Sequence, residues 1–455
     1  MKAIGIKAAA YLLSAVMTAS LMPVVTASAE TIPPDAIGAV SIDAVTTFYY
    51  DTKASGGLTA MWNDAVSAKS ATVKLFTDWN AANGTRLVEE GKGMAFDGVI
   101  CVPDGHEVTL DLNGFSINRG LEMSIENGEV ICIENGAVLN LTDTKASSGS
   151  AGKITGGKNL SGAGGIQIDA GGTLNLWGGC ITENVSDKSG GGILLEGESS
   201  KLYMTGGSIT KNTAAVNGGG IAMVDASLEV VNGSINENKS AGSGGGIYQQ
   251  GGSAVLQNCQ VMSNSAVTGG GICTTAAADL ALQSTAAIQN NVAGTAGEQG
   301  RGGGILAMGT LPIRLSGTPT VISNRQSDGT ISNLTFWINE AGTFVGPRIQ
   351  NDGVVKGTQV GLNFTGGETE RELAFAPTWN MTGVFDGDGE FEYFEADQIQ
   401  YLKRPLEPSD YMLYVWIGCA AVVLIAAIMI IAIVASVRKK KKHRKRKHSA
   451  AKPRK

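Results

Sequence analysis

One stretch in the middle of the chain, GGGILLEGESSKLYMTGGSITKNTAAVNGGGI at residues 190–221, determines the fold. It begins and ends with glycines followed by an isoleucine, and this short motif recurs along the chain. The isoleucines that follow the glycine runs are separated by 27, 28, 26, 25 and 33 residues. A repeat of this length is typical of solenoids built from stacked coils. The six isoleucines are Ile166, Ile193, Ile221, Ile247, Ile272 and Ile305.

A second motif, I-x-x-N or V-x-x-N, runs in phase with the first. Between the two motifs lies an alternating strand pattern such as Leu202-x-Met204, and two glycines at 206–207 make a turn. Short strands in a unit of about 27 residues cannot bury a hydrophobic face alone, so the units must stack. Stacking in parallel at about 4.8 Å would align equivalent residues as ladders. We expect one ladder of the six isoleucines and a second of Asn184, Asn212, Asn238, Asn264, Asn291 and Asn324.

Other uses of glycine-rich sequence fit less well. A flexible linker needs neither a fixed aliphatic residue after each glycine run nor a phased asparagine. A Walker-type phosphate loop needs Gly-Lys-Ser/Thr, which does not follow these glycines. A calcium-binding nonapeptide needs an aspartate shortly after them, and Ile221-Ala222-Met223 has none. The sequence therefore predicts neither a metal ion nor a cofactor.

GGGI alternating with I-x-x-N resembles the polymorphic outer-membrane-protein repeat, whose usual form is GGA[I/V] alternating with F-x-x-N. The resemblance covers roughly residues 150–325. It implies a right-handed parallel β-helix of the pectin-lyase-like fold and a secreted or surface-attached protein, and many proteins of this kind are adhesins. In this sequence Ile or Val replaces the Phe, and an apolar segment and a basic tail stand where that family has its translocator. A cell surface of Gram-positive type suits this ending better.

The first residues of the chain are typical of a secretory signal peptide. Lys2 and Lys7 precede an apolar region, and Ala27-Ser28-Ala29 is a cleavage site of the A-x-A type. An uncleaved N-terminal anchor is the alternative. Between Ala29 and Asp410 there are 41 acidic and 21 basic residues, a net charge of −20. Such an acidic body is unsuited to nucleic acid, so we expect no nucleic-acid partner.

The C-terminal end predicts a single-pass membrane anchor. Residues 412–437 form a run of 26 residues without a charge, long enough to cross a bilayer as a helix. The next 18 residues contain 12 Lys/Arg and no acid, which places the C-terminus in the cytoplasm and the N-terminus outside. The tail serves as a stop-transfer signal, and binding to anionic lipid is a compatible further role.

The segments that flank the repeats complete the expected domain organisation. Apolar residues within Gly57–Val66 are spaced as on a helix, which would cap the open end of the solenoid, and Ala71–Phe76 is expected to be the first strand. The fold class is therefore all-β, a right-handed parallel β-helix with an N-terminal helical cap and one C-terminal transmembrane helix. The expected segments are a signal peptide (1–29), a cap segment (30–70), the β-helix ectodomain (71–402), a stalk (403–411), a membrane helix (412–437) and a basic tail (438–455).

Catalytic motifs are scarce in this sequence. His106 lies in a turn and is expected to be structural. Glu183 and Glu237 occupy equivalent positions two coils apart, with Lys211 between them, and we expect solvated surface there. The sequence thus predicts no catalytic residues, and enzymatic activity stays open because the β-helix fold also hosts polysaccharide-cleaving enzymes.

Two aromatic residues suggest a possible binding surface. Alternation along Leu174-Asn175-Leu176 points Trp177 outward, and Tyr203 should also point outward one coil along. Two exposed aromatic rings could stack on sugar rings, or could belong to ordinary surface packing. Cys101 and Cys132 match in register, which allows either a disulfide or stacked thiols.

These observations give an expected function. We expect a cell-surface, membrane-anchored β-helix that binds or adheres to glycans or protein partners. The alternatives are a membrane-tethered polysaccharide lyase or glycoside hydrolase, and a purely structural surface rod.

Overall fold

In the computed structural model of this protein, the described residues are mostly β-strand, with parallel sheets and one helix. It describes residues 31–51, 57–80, 99–145, 151–275, 277–295, 298–309, 311–337, 349–354, 358–364, 370–372, 385–386, 392–396 and 399–403.

A single repeat shows how the chain is organised. After the glycine run at 190–192 come four strands, which we call the a-, b-, c- and d-strands of a coil. In this coil they are Ile193–Glu196, Lys201–Met204, Ser208–Thr210 and Thr213–Ala214. Each of the four pairs in parallel with the equivalent strand of the next coil. This arrangement is consistent with a β-helix solenoid.

The same four strands recur along the stack. The b-strands belong to a twelve-stranded sheet, the a- and c-strands together form a twenty-stranded sheet, and the d-strands form an eight-stranded sheet. The a-strands are Ile100–Val102, Ile131–Ile133, Ile166–Ile168, Ile193–Glu196, Ile221–Val224, Ile247–Gln250, Ile272–Thr275, Ile305–Ala307 and Leu334–Phe336. The b-strands are Ser70–Leu75, Glu107–Asp111, Val138–Thr142, Thr173–Leu176, Lys201–Met204, Ser227–Val230, Ser253–Gln257, Asp279–Gln283, Ile313–Gly317 and Ile349–Val354.

The remaining two series are shorter strands. The c-strands are Trp79–Asn80, Ile117–Asn118, Lys153–Thr155, Cys180–Thr182, Ser208–Thr210, Gly233–Asn236, Cys259–Met262, Ala287–Gln289, Thr320–Ile322, Gln359–Phe364 and Phe385–Asp386. The d-strands are Lys158–Asn159, Val185–Ser186, Thr213–Ala214, Lys239–Ser240, Ser265–Ala266, Val292–Thr295 and Arg325–Gln326, and Glu298–Gln299 joins them antiparallel.

The core runs along the axis of the stack. The six isoleucines that follow the glycine runs pair with one another in register and are fully buried. The row continues upstream to Ile131 and Ile100, and downstream to Leu334. Each isoleucine buried in this way contributes about 1.5–3 kcal/mol.

The glycine runs are required by the close approach of neighbouring coils. The first glycine of a run, such as Gly218 with φ +66°, lies in the left-handed region that favours glycine. The third, Gly220, has no room for a side chain. A Cβ there would lie 2.7 Å from the Gly246 carbonyl oxygen and 2.9 Å from Asn238 Nδ2. The Gly246 backbone and the Asn238 side chain thus occupy the space that any side chain at position 220 would need.

The residue before each ladder asparagine has a left-handed backbone in spite of carrying a side chain. At these corners the chain turns from a c-strand to a d-strand. The φ values are 59° at Glu183, 57° at Lys211, 56° at Glu237, 57° at Ser263, 56° at Asn290 and 60° at Ser323. Glu183 and Glu237 thus share this strained corner position.

The N-terminal end differs from the expectation. Two strands, Ala36–Ile42 and Val45–Tyr50, precede Ser70–Leu75 and pair antiparallel, and Ala36–Ile42 also pairs antiparallel with Ser70–Leu75. The expectation that Ala71–Phe76 begins the sheet was therefore wrong. The hairpin was missed because its turn residues, Asp43 and Ala44, both have positive φ without the usual Asn-Gly sequence.

The one helix found among the described residues, Gly57–Ser67, packs at this same end. Met61, Trp62, Ala65 and Val66 form its buried face. Trp62 Nε1 donates a hydrogen bond of 2.9 Å to the carbonyl oxygen of Cys101, in the first a-strand. The helix is thereby fixed to the coils that it covers.

At the other end, Glu370–Glu372, Glu392–Ala396 and Ile399–Lys403 form a small antiparallel sheet. Lys403, where the predicted stalk begins, is the last described residue. The predicted signal peptide (1–29), membrane helix (412–437) and basic tail (438–455) lie outside the described residues. Within the described ranges, no helix is long and apolar enough to span a bilayer.

Candidate functional site

The predicted asparagines form a continuous hydrogen-bonded row inside the molecule. In each step, the side-chain Nδ2 and the backbone N–H of one asparagine both donate to Oδ1 of the next. For Asn238 and Asn264 these distances are 3.0 and 2.9 Å. Nδ2 of Asn238 also donates to the Ile209 carbonyl oxygen at 2.9 Å. All six asparagines are buried, so they are placed to hold the coils together and cannot contact a ligand.

The row ends at an asparagine that the repeat pattern did not reveal. Asn333 Oδ1 accepts hydrogen bonds of 2.9 and 3.0 Å from the backbone N–H and Nδ2 of Asn324. Because Leu334 pairs with Ile305, Asn333 stands where the other coils have their third glycine. The signal was present in the sequence, since Ser332-Asn333-Leu334 replaces the usual Gly-Gly-Ile.

The two predicted binding aromatics lie on the b-strand face but not side by side. Tyr203 pairs with Asn175 on one side and with Glu229 on the other. Trp177 follows the strand Thr173–Leu176, two residues beyond Asn175. Both rings are half-buried. Burial raises the pKa of the Tyr203 hydroxyl, and the neighbouring Glu229 carboxylate raises it further.

A row of polar groups continues from these aromatics toward the N-terminal end. Asn175 Nδ2 donates to Asn140 Oδ1 at 2.7 Å, and Asn140 Nδ2 donates to Glu107 Oε1 at 2.9 Å. These outward side chains satisfy one another across adjacent strands. Tyr203 therefore lies at one end of a row of polar side chains. This arrangement resembles ordinary surface packing more than a concave binding site.

A polar groove, which we call the c-face groove, lies on the outer face of the c-strands. It has a volume of about 430 Å³, within the range of small-ligand sites. It crosses four neighbouring strands, since Trp79 pairs with Ile117, Ile117 with Ile154, and Ile154 with Ile181. Its lining residues are Asp78, Asn80, Ser116, Asn118, Lys153, Thr155, Gly156 and Glu183.

Alternation along the c-strands builds this groove. In Lys153-Ile154-Thr155 the isoleucine is fully buried, so the residues on both sides of it face outward. Ser116-Ile117-Asn118 and Asp78-Trp79-Asn80 follow the same rule. Sequence reasoning missed these residues because the early coils lack the glycine runs that mark the register.

The groove carries charge of both signs. Asp78 and Glu183 are exposed carboxylates, and Lys153 is an exposed ammonium group with no ion pair to a carboxylate among the described residues. Asp78 Oδ1 accepts a hydrogen bond of 2.8 Å from the Ser116 N–H, which fixes this carboxylate at the groove wall. The amides and hydroxyls between the charges add hydrogen-bond donors and acceptors.

The other polar residues considered from the sequence are placed as follows. Lys211 Nζ lies 3.9 Å from Glu237 Oε2, and both side chains are more than half exposed. His106 Nδ1 lies 2.9 Å from the Asp104 carbonyl oxygen within its own turn. In the part of the chain that the structure describes, no group of three or more His, Cys, Asp or Glu residues is arranged to hold a metal ion.

Comparison with family models, with curated proteins and with solved structures finds no match to this chain.

Proposed function

We propose that the protein is a membrane-anchored, right-handed parallel β-helix of the cell surface that binds an extended glycan in the c-face groove. The observation that carries this proposal is the groove itself. It crosses four strands at a spacing of about 4.8 Å and is lined by hydroxyl, amide and charged groups. A hydroxyl-rich ligand can use all of these groups, whereas an apolar ligand would leave them unpaired.

The placement at the cell surface rests on the sequence. The A-x-A site after a basic and apolar start supports secretion, and the uncharged run at 412–437 with its basic tail supports a single-pass anchor. The repeat resemblance supports the right-handed coil and a surface-attached rod. With this topology, the rod and its groove face the outside of the cell, and the basic tail faces anionic lipid headgroups in the cytoplasmic leaflet.

Glycan-array binding of the full chain, purified in detergent, tests the proposal. Lys153→Ala removes the central ammonium group of the groove. We expect this variant to bind the glycans recognised by the wild-type protein at least tenfold more weakly. Lys201→Ala is the matched control, because Lys201 is also an exposed lysine but lies on a b-strand, outside the groove.

The outcomes distinguish the competing interpretations. Equal binding by wild type and Lys153→Ala would exclude the groove, and loss of binding in Trp177→Ala or Tyr203→Ala would then place the site on the b-strand face. No binding to any glycan would leave a protein partner or a purely structural rod.

The carboxylates of the groove do not by themselves favour an enzyme. Asp78 and Glu183 both line it, but they belong to the first and last of its four strands, three spacings of about 4.8 Å apart. A separation of about 14 Å exceeds the range of about 5–9.5 Å between the two carboxylates of a glycoside hydrolase. Incubation with plant, microbial and mucin polysaccharides, followed by assay for new chain ends, tests the enzymatic alternative, and release of new ends would overturn a purely binding role.

A further inference from the structure

Cys101 and Cys132 lie directly opposite each other in the first two a-strands. Ile100–Val102 pairs in parallel with Ile131–Ile133, and the two cysteines are register partners. Neighbouring strands of a sheet lie about 4.8 Å apart, which falls within the range of about 4.4–6.8 Å between Cα atoms that a disulfide spans.

The side chains of the two cysteines meet on the outer face of the sheet. On both strands the flanking residues are fully buried in the core, so alternation turns the cysteines outward. The neighbouring Cys132 thiol, together with burial, raises the pKa of the Cys101 thiol. Cys101 is only 4% exposed, whereas Cys132 is partly accessible to solvent.

No other cysteine of the described ranges has such a partner. Cys180 pairs with Lys153 and Ser208, Cys259 with Gly233, and Cys273 with Tyr248 and Leu306. All five described cysteines are free thiols. The pair at 101 and 132 is therefore distinguished by position from the other three, which serve as internal controls.

We propose that Cys101 and Cys132 are an oxidation site, at which a small-molecule disulfide such as oxidised glutathione converts the thiol pair into a disulfide between neighbouring coils. The more accessible Cys132 attacks the reagent as a thiolate and releases one thiol. Cys101 then attacks Sγ of Cys132 and releases the second thiol. The protein loses two electrons and two protons, and one reagent disulfide is reduced to two thiols.

The bridge would join the coils on which the helix rests. Trp62 Nε1 donates to the carbonyl oxygen of Cys101 itself, so the oxidised pair would link helix, first coil and second coil. In a stack where each coil contacts only its neighbours, an end coil is the first to open. A covalent link at this place therefore protects the end of the rod, and is expected to raise the temperature at which the N-terminal coils unfold.

The experiment compares the full chain, purified in detergent, after incubation with oxidised glutathione or with dithiothreitol. Trypsin cuts after Lys92, Arg119 and Lys145, so the two cysteines fall in separate peptides, 93–119 and 120–145. We expect a mass equal to their sum, less two hydrogens, after non-reducing digestion of the oxidised sample. It should vanish on reduction, and exchange of the Ile100–Val102 amides should slow at least tenfold on oxidation.

Variants make the result decisive. Cys132→Ser should abolish the linked peptide and the slower exchange, while Cys180→Ser should keep both. A Cys101→Ser/Cys132→Ser double variant with wild-type circular dichroism would show that the thiols are not needed for folding. Glutathione adducts on Cys132 without the linked peptide, or unmodified thiols throughout, would overturn the proposal.

Discussion

At the scale of single residues, the buried asparagine row makes the largest demand on side-chain identity. Asn238 Oδ1 accepts a hydrogen bond of 3.0 Å from the backbone N–H of Asn212. Its Nδ2 donates to the Ile209 carbonyl oxygen and to Asn264 Oδ1. In Asn238→Ala the buried Asn212 N–H loses its acceptor, and the Ile209 carbonyl loses a donor. Each unsatisfied group costs about 1–3 kcal/mol, so we expect a loss of about 3 kcal/mol in the free energy of unfolding. Urea unfolding and amide exchange at Asn212 measure it.

Asn232→Ala is the control for this substitution, since Asn232 is exposed in the same coil. It should change the unfolding free energy by less than about 0.5 kcal/mol. Equal effects of the two variants, or an unchanged exchange rate at Asn212, would show that the row is dispensable.

A second residue-scale prediction concerns the buried carboxyl of Glu129. Burial raises the pKa of Glu129 to about 7, Asp169 also raises it, and a backbone hydrogen bond and the Arg119 guanidinium lower it. An unfolded glutamate titrates near pH 4.3, so between about pH 4.3 and 7 the folded chain holds a proton that the unfolded chain has lost. The free energy of unfolding is therefore highest below this window and falls by about 4 kcal/mol as the pH rises through it.

The variant Glu129→Gln should remove this slope and be the more stable protein at pH 8. Thermal unfolding at pH 5, 6, 7 and 8 measures the difference, and Glu122→Gln, at an exposed glutamate of the same loop, should leave the slope as in wild type. A wild-type slope in Glu129→Gln would assign the pH dependence to another group.

At the scale of elements, the hairpin at the N-terminal edge depends on its two-residue turn. Asp43 and Ala44 have φ of 49° and 64°, and alanine in this region costs about 1 kcal/mol relative to glycine. Ala44→Gly should therefore stabilise the hairpin by about 0.5–1 kcal/mol, seen as slower amide exchange in Ala36–Ile42. Ala39→Gly, within the buried strand, should have the opposite sign. The same sign for both would mean that the turn is not strained.

The helix should be coupled to the first coils through one ring. Trp62→Phe removes the hydrogen bond to the Cys101 carbonyl oxygen. It keeps an aromatic ring beside Trp79, whose ring centroid lies 6.3 Å from that of Trp62. We expect a loss of about 1–3 kcal/mol from the unpaired carbonyl. Amide exchange should accelerate in Ile100–Val102 and stay unchanged in Ile221–Val224. Uniform acceleration would instead indicate one cooperative unit.

Elements that carry the repeat motif could be predicted from the sequence, and elements without it could not. The coils between Ile166 and Ile305 repeat one motif, so their register could be derived by counting residues. The hairpin and all of the c-face groove except Glu183 lie where the motif is absent, and their strands are specified by contacts to distant residues instead. Asn333 could be predicted only once Leu334 was known to continue the isoleucine row.

At the scale of the whole molecule, the stacked coils predict a protein whose stability is local. Ile221 is fully buried, and its only register partners in the row are Ile193 and Ile247. Ile221→Asp places a carboxylate among apolar side chains, which costs several kcal/mol. Because each coil contacts only its neighbours, the disruption should weaken with distance along the stack.

Amide exchange across the full chain checks this. Protection should be lost in Ile193–Glu196, Ile221–Val224 and Ile247–Gln250 and be largely kept in Ile131–Ile133, three coils from Ile221. Ser227→Asp, at an exposed position in the same coil as Ile221, is the control and should leave protection unchanged. If protection vanished at every strand together, the rod would be a single cooperative domain. If circular dichroism, unfolding and exchange were all unchanged, the isoleucine row would not carry the core. A loss of protection that weakens with distance from Ile221 would show that stability is local. A ligand bound in the c-face groove would then stabilise only the coils that it spans, Trp79 to Thr182, and leave the other coils unaffected.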